Sequence, residues 1–385
     1  MKIKSRRGVE TKTKEVALIK PKVVLVVGDM GAWQYFAPIM PELTRRYEVE
    51  LLADPKGAAK NEIEKVGVSH RVTDGKDLFE TGALDGVYSV LCGTAGKTFE
   101  LWENASQAAI NHDVPFAWFG YFYSSGCEAQ MLGCNPNYFA AFDTDTAARF
   151  MTEHLGIYED RIRIVGNPSF DAIASFDVAT ARYRTREALS LKESEQFVCY
   201  SASSMEQFSL ERESLNNLIS WVKGRARFAA RFHPADEKNK PEYIARLRKR
   251  LSDELGPQMV DTKEYKGLEL AVAADVFVTD YSTEGVRACL VGIPTAFLML
   301  KTSQEYLHRA KGSQHPHFSI LDDGPAMAPA LGIYEPKKVK DLSLALTPEW
   351  RRRQEKVLRQ PRFQVLCDGH AGERVLEFIE KIVGE

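Results

Sequence analysis

The stretch "ADVFVTDYSTEGVRACLVGIPTAF", Ala274–Phe297, decides how the chain folds. "ADVFVTD" reads as a buried strand, "YSTEG" opens a helix, and "GIPTAF" starts another apolar run. Near-continuous apolar strands separated by a helix imply parallel pairing with both sheet faces covered. The polar run Asp280, Tyr281, Ser282, Thr283, Glu284 stands where strand passes into helix. Such a run either caps the helix or holds a charged ligand on its N-terminus.

The same alternation extends in both directions. Upstream lie "FVCYSAS" (Phe197–Ser203), a helical stretch, and "ARFAARFHP" (Ala226–Pro234). Further upstream, "KVVLVV" (Lys22–Val27), "EVELLAD", "GVYSVLCGT" (Gly86–Thr94), "VPFAWFGYF" (Val114–Phe122), "NYFAAFD" (Asn137–Asp143) and "RIRIVGNPSFD" (Arg161–Asp171) repeat it. A charged stretch, Ala181–Gln196, separates the two series. The expected fold is α/β, with two doubly wound Rossmann-like domains facing a cleft. A loose tail at 1–20 precedes an acceptor-side domain at 21–175. A linker at 176–195 leads to a nucleotide-binding domain at 196–365. An amphipathic helix at 366–385 is expected to cross back to the first domain.

The chain has 385 residues, too many for one ordinary core. Its formal net charge of −2 gives no global field to gather nucleic acid or anionic lipid. No apolar run approaches the ~20 residues that span a bilayer. The basic start lacks the apolar core of a secretory signal. The six cysteines are scattered with no CxxC, which suits a reducing cytoplasm and suggests neither zinc nor disulfides. No Asp-x-Asp triple stands in a loop to hold a metal; Asp143 and Asp145 look like a helix cap. No metal or cofactor is expected.

In doubly wound sheets, ligands bind beyond the carboxyl ends of the strands. In the first half, Gly28 and Gly31 allow close backbone approach, and Asp29 is the candidate general base. Tyr121, Tyr123 and Ser124 follow a later strand, and hydroxyl-bearing rings suit a sugar or polyol acceptor. In the second half, Ser201, Ser203 and Ser204 lie between strand and helix, as a cap or a phosphate loop. His233 ends a strand and is held extended by Pro234, with Arg231 two residues earlier on the same side. Asp280, Ser282, Thr283 and Glu284 fall at the same edge. The basic run "PEWRRRQEKVLRQPRF" (Pro348–Phe363) reads first as a solvated face. Its other reading is a surface for an anionic polymer, a membrane or nucleic acid, through Arg351, Arg352, Arg353, Lys356 and Arg359. That second reading would place the protein at the inner membrane face.

"RFHP" (Arg231–Pro234) followed by "AADVFVTDYSTEG" (Ala273–Gly285) resembles the nucleotide-binding half of GT-B fold transferases. The nearest likeness is to the CDP-glycerol glycerophosphotransferases of teichoic acid synthesis, which carry a similar Lys/Arg-x-His-Pro and Asp-x-x-x-Thr-Asp-Tyr-Ser-Ser. "GIPTAFL" and "DGHAGERVLEFI" (Asp368–Ile379) also look like that family's ending, so the resemblance spans Phe228–Phe378. It implies that His233 contacts donor phosphates and acts in catalysis, Ser282 and Thr283 hold the pyrophosphate, Asp280 orders the loop and Glu284 approaches the ribose. Two departures stand out. Thr283 replaces a serine, and "GVRAC" (Gly285–Cys289) replaces an aromatic–Asp pair. The expected function is therefore metal-independent glycosyl transfer from a nucleoside-diphosphate-sugar to a sugar, glycan or other hydroxyl acceptor. The alternatives are a CDP-glycerol-type polyol-phosphate transferase, a nucleotide-sugar 2-epimerase, and a non-catalytic sugar-nucleotide binding protein.

Overall fold

The structure is a computed structural model and describes residues 20–93, 99–121, 135–144, 146–148, 157–202, 210–262, 265, 267–280, 282–298, 300, 330–333 and 336–384. Its strands form two parallel sheets. The first runs β3-β2-β1-β4-β5-β6-β7, with β1 Lys22–Val27, β2 Glu48–Ala53, β3 Arg71–Val72, β4 Val87–Gly93, β5 Phe116–Phe119, β6 Tyr138–Ala141 and β7 Ile162–Ile164. The second runs β12-β11-β10-β8-β9, with β8 Phe197–Ser201, β9 Arg227–Arg231, β10 Val276–Thr279, β11 Thr295–Leu298 and β12 Leu331–Ile333.

The apolar runs are continuous because both sheet faces are covered. Val23 to Val27 are all fully buried, with alternate residues entering cores on opposite faces. β10 is likewise buried throughout and pairs with β8 and β11 in parallel. Strand order reverses between β1 and β4 in one sheet and between β8 and β10 in the other. Those two reversals mark the crevices where doubly wound sheets take ligands.

The segment "QMVD", Gln258–Asp261, makes only an isolated bridge, Phe228 to Met259. The two-residue β3 and three-residue β12 are too short to leave a periodic signal. "RIRIVGNPSFD" is strand only over its first part. Asn167 then caps a 3-10 helix, Pro168–Ile173.

The charged stretch after Ala181 packs on the second half. Arg182 donates to the carbonyls of Val272, Ala273 and Ala274 and pairs with Asp275 at 2.5 Å. Arg186, nearly buried, bonds the carbonyls of Ala273, Lys192 and Glu195. These guanidiniums satisfy the carbonyls at the end of the helix Gly267–Ala273, where cations suit the dipole.

The C-terminal helix, Ala371–Gly384, does cross back. Val375, Leu376, Phe378, Ile379 and Ile382 enter the first half's core. Asp171 accepts from the amides of Ala371 and Gly372 at 2.9 and 2.8 Å, so a residue between the halves caps this helix. Burial raises the Asp171 carboxyl above its usual range, against the opposing pull of those two N–H groups. Removing such a cap costs about 0.5–2 kcal/mol. Asp171→Ala is expected to lower the urea midpoint accordingly and to speed amide exchange at 371–376.

Candidate functional site

The first sheet's carboxyl edge is built on close approaches. Asp29 caps the helix Met30–Phe36, accepting from the Ala32 amide at 2.8 Å through Oδ1. Its Oδ2 accepts from the Tyr121 hydroxyl at 2.7 Å. Gly31 is required here, because a Cβ would stand 2.4 Å from the Tyr121 ring. Gly28 presents its carbonyl to Gly57, where a Cβ would come within 1.9 Å. Asn167 completes the edge, donating to the Tyr121 carbonyl at 2.8 Å and accepting from the Ser169 amide at 2.9 Å. Tyr123 and Ser124 lie outside the described residues.

In the second half, the polar run splits between structural and open positions. Asp280 is fully buried; its two oxygens accept from Tyr200 Oη and Ser214 Oγ, each at 2.7 Å. It ties β10 to β8 and to the helix Leu210–Val222. Ser282 is an ordinary N-cap for the helix Thr283–Leu290, accepting from the Glu284 amide at 3.2 Å. Its carbonyl accepts from the Gly285 amide, and its own amide donates to Thr279 Oγ1. Much of this helix's N-terminal capacity is therefore used by the chain itself. Thr283 is exposed on the first turn. Thr279 Oγ1 donates in turn to the Ser201 carbonyl at 2.6 Å, closing the β8/β10 reversal. Ser201 is buried, and Ser203 and Ser204 lie outside the described residues.

Arg231 and His233 follow at the end of β9. His233 is exposed, and its carbonyl accepts from the amides of Asp236 and Glu237. Arg231 is half-buried, in register with Ser201 across β8, and makes no ion pair among the described residues. Gly267 marks how close the charged groups come. A Cβ there would stand 2.1 Å from Glu284 Oε2 and 3.0 Å from Arg231 Nη1. The same two charges reach Cys199 beneath them. Burial pushes its thiol up to about 12, Arg231 pulls it down and Glu284 pushes it up. Cys199 is thus an inert core thiol and no nucleophile.

Three residues of this region escaped the sequence reading. Arg287 donates to Glu284 Oε1 at 3.3 Å and to Ser169 Oγ at 3.2 Å. Its guanidinium lies 5.3 Å from the Phe170 ring centre. The available signal was that "GVRAC" breaks the family pattern at this point. The signal for Asn167 was its place before Pro168, where Asn favours a turn or cap. Ser169 gave no signal, because its partner is distant in sequence. Elsewhere, Asp143 accepts from the Thr146 amide at 2.8 Å, as a helix cap. The basic run forms the helix Pro348–Leu358, with Arg351, Arg352, Arg353, Lys356 and Arg359 exposed. Arg352 pairs with Glu349, and Arg353 lies over Trp350. Among the described residues, no helix is long and apolar enough to cross a membrane.

Two parallel doubly wound sheets meeting at their carboxyl edges, with a terminal helix returning to the first, define the GT-B architecture. No protein-family model matches the chain, and no curated protein matches it. Solved structures do. UDP-GlcNAc 2-epimerase from Neisseria meningitidis, bound to UDP-GlcNAc, aligns at TM-score 0.63 and 14% identity, over 94% of this chain and 100% of its own. Anabaena HepE, in complex with UDP and glucose, aligns at TM-score 0.59 and 12% identity, over 94% and 99%. The wall teichoic acid polymerase TagF, as its H548A variant, aligns at TM-score 0.54 and 14% identity, over 95% and 90%. The chain is therefore GT-B in fold.

Proposed function

We propose that the protein is a nucleotide-sugar-dependent enzyme that transfers a glycosyl group from a nucleoside-diphosphate donor. The observation that carries this reading is Arg231: a half-buried guanidinium at the carboxyl edge of the second sheet, without an ion-pair partner among the described residues. A cation held out of bulk water in that position favours an anionic ligand, and a diphosphate is the anion a GT-B crevice is shaped for. Thr283 on the helix N-terminus and the imidazole of His233 lie on the same edge and would add donors. Glu284 Oε2 would accept from a donor hydroxyl.

Departure of the nucleoside diphosphate builds negative charge on its phosphates. Arg231 and these donors would stabilise that charge more in the transition state than in the ground state. Across the cleft, Asp29 would take the acceptor's proton, with Tyr121 setting its orientation. A 2-epimerase reading draws on the same donor edge, supported by the fold shared with the Neisseria epimerase. It differs in having no acceptor.

A thermal-shift panel of UDP, CDP, GDP and dTDP tests the donor site. A ligand at 100 times its Kd stabilises by about 2.7 kcal/mol. At least one diphosphate is expected to raise Tm. No shift with any of them, in folded protein, contradicts the reading. Proton NMR of the matching nucleotide-sugar then separates the chemistries: transfer requires an added acceptor, whereas epimerisation changes the donor alone.

A further inference from the structure

We propose that Arg287 is a positioning residue that links the donor-side carboxylate to the acceptor-side one, so that an occupied donor site orders Asp29. This inference rests on the donor reading above. Six residues are joined in sequence by hydrogen bonds, the path crossing Tyr121 from its carbonyl to its hydroxyl through the ring. Glu284 Oε1 accepts from Arg287 Nη1 at 3.3 Å, and Arg287 Nη2 donates to Ser169 Oγ at 3.2 Å and to its carbonyl at 3.3 Å. The Ser169 amide donates to Asn167 Oδ1 at 2.9 Å, and Asn167 Nδ2 donates to the Tyr121 carbonyl at 2.8 Å. The Tyr121 hydroxyl donates to Asp29 Oδ2 at 2.7 Å, and Asp29 Oδ1 holds the Ala32 amide. The path begins at the carboxyl edge of one sheet and ends at that of the other.

The link at Arg287 is specific to a guanidinium. It uses two nitrogens of one rigid plane, one for each half of the molecule, and the plane is backed by the Phe170 ring. A lysine keeps the charge but places a single ammonium, which cannot hold both partners in this geometry. Glu284 is also constrained on its other side, because Oε2 stands against Gly267, where a Cβ would lie 2.1 Å from it. A ligand that draws on Arg231 and Oε2 therefore changes what Oε1 offers Arg287. The Arg287–Ser169 contact passes that change to the segment carrying Asn167.

Hydrogen exchange of the full chain with and without saturating UDP tests this, with affinity measured separately by calorimetry. In the wild-type protein UDP is expected to slow exchange at 29–36 and 167–173, on the side opposite its phosphates. In Arg287→Lys, UDP should bind within about threefold of wild type, yet the protection at 29–36 should be lost. Ser169→Ala removes only the Oγ contact and keeps the carbonyl one, so it should lose part of the same protection, and the double variant should lose no more than Arg287→Lys alone. If Arg287→Lys binds UDP and keeps the protection at 29–36, the linkage is wrong while the donor site stands. If the wild-type protein binds none of UDP, CDP, GDP and dTDP, the donor reading fails and the linkage fails with it.

Discussion

Replacing Arg231 by alanine is expected to weaken nucleoside-diphosphate binding by about two orders of magnitude while leaving the fold intact. A hydrogen bond to a charged group contributes about 1.5–3 kcal/mol, and a guanidinium can present two to a phosphate. Losing about 3 kcal/mol is roughly a hundredfold in Kd. The unliganded protein should tolerate the change, because Arg231 makes no ion pair among the described residues and its side chain is half-exposed. Arg231→Lys should recover part of the affinity through charge alone. Calorimetry with the best ligand of the diphosphate panel, beside an apo melting curve, checks both halves of this statement. Equal affinity in wild type and Arg231→Ala would remove Arg231 from the phosphate site.

Asp280→Ala should behave in the opposite way, with a large loss of stability that precedes any question of binding. Both oxygens of this fully buried carboxylate hold hydroxyls, one from β8 and one from the helix Leu210–Val222. Each hydroxyl left unpaired costs about 1–3 kcal/mol, so the pair amounts to about 2–6 kcal/mol. Asp280→Asn should be milder, since an amide still accepts from one hydroxyl and can donate to the oxygen of the other. Urea unfolding followed by tryptophan fluorescence distinguishes the roles. A variant that keeps wild-type stability but loses ligand affinity would make Asp280 a donor contact instead of an anchor.

The contrast between these two residues shows what the sequence could and could not convey. The order of strands and helices was readable because parallel strands covered on both faces are apolar without interruption, as in Lys22–Val27 and Val276–Thr279. The ligand edges followed from that order. The division of labour within an edge was not readable. Asp280, Ser282, Thr283 and Glu284 are neighbours in the chain, yet one is a buried anchor, one a cap, one exposed and one an arm towards Arg287. That partition depends on Tyr200, Ser214 and Ser169, which come from other elements. Local pattern carries no information about such partners. Glycines were similarly ambiguous: Gly31 reads as a turn residue but is needed because the Tyr121 ring lies against it. Asp29 could be picked out as a cleft carboxylate, but its attachment to Tyr121 across the sheet could not.

The central claim is that the second sheet's carboxyl edge is a diphosphate site organised around Arg231. A crystal structure of the protein with its best-binding nucleoside diphosphate tests this most directly. Phosphate oxygens are expected within hydrogen-bonding distance of the Arg231 guanidinium, beyond the ends of β8, β9 and β10. Phosphate density at any other place, with Arg231 facing solvent, would contradict it.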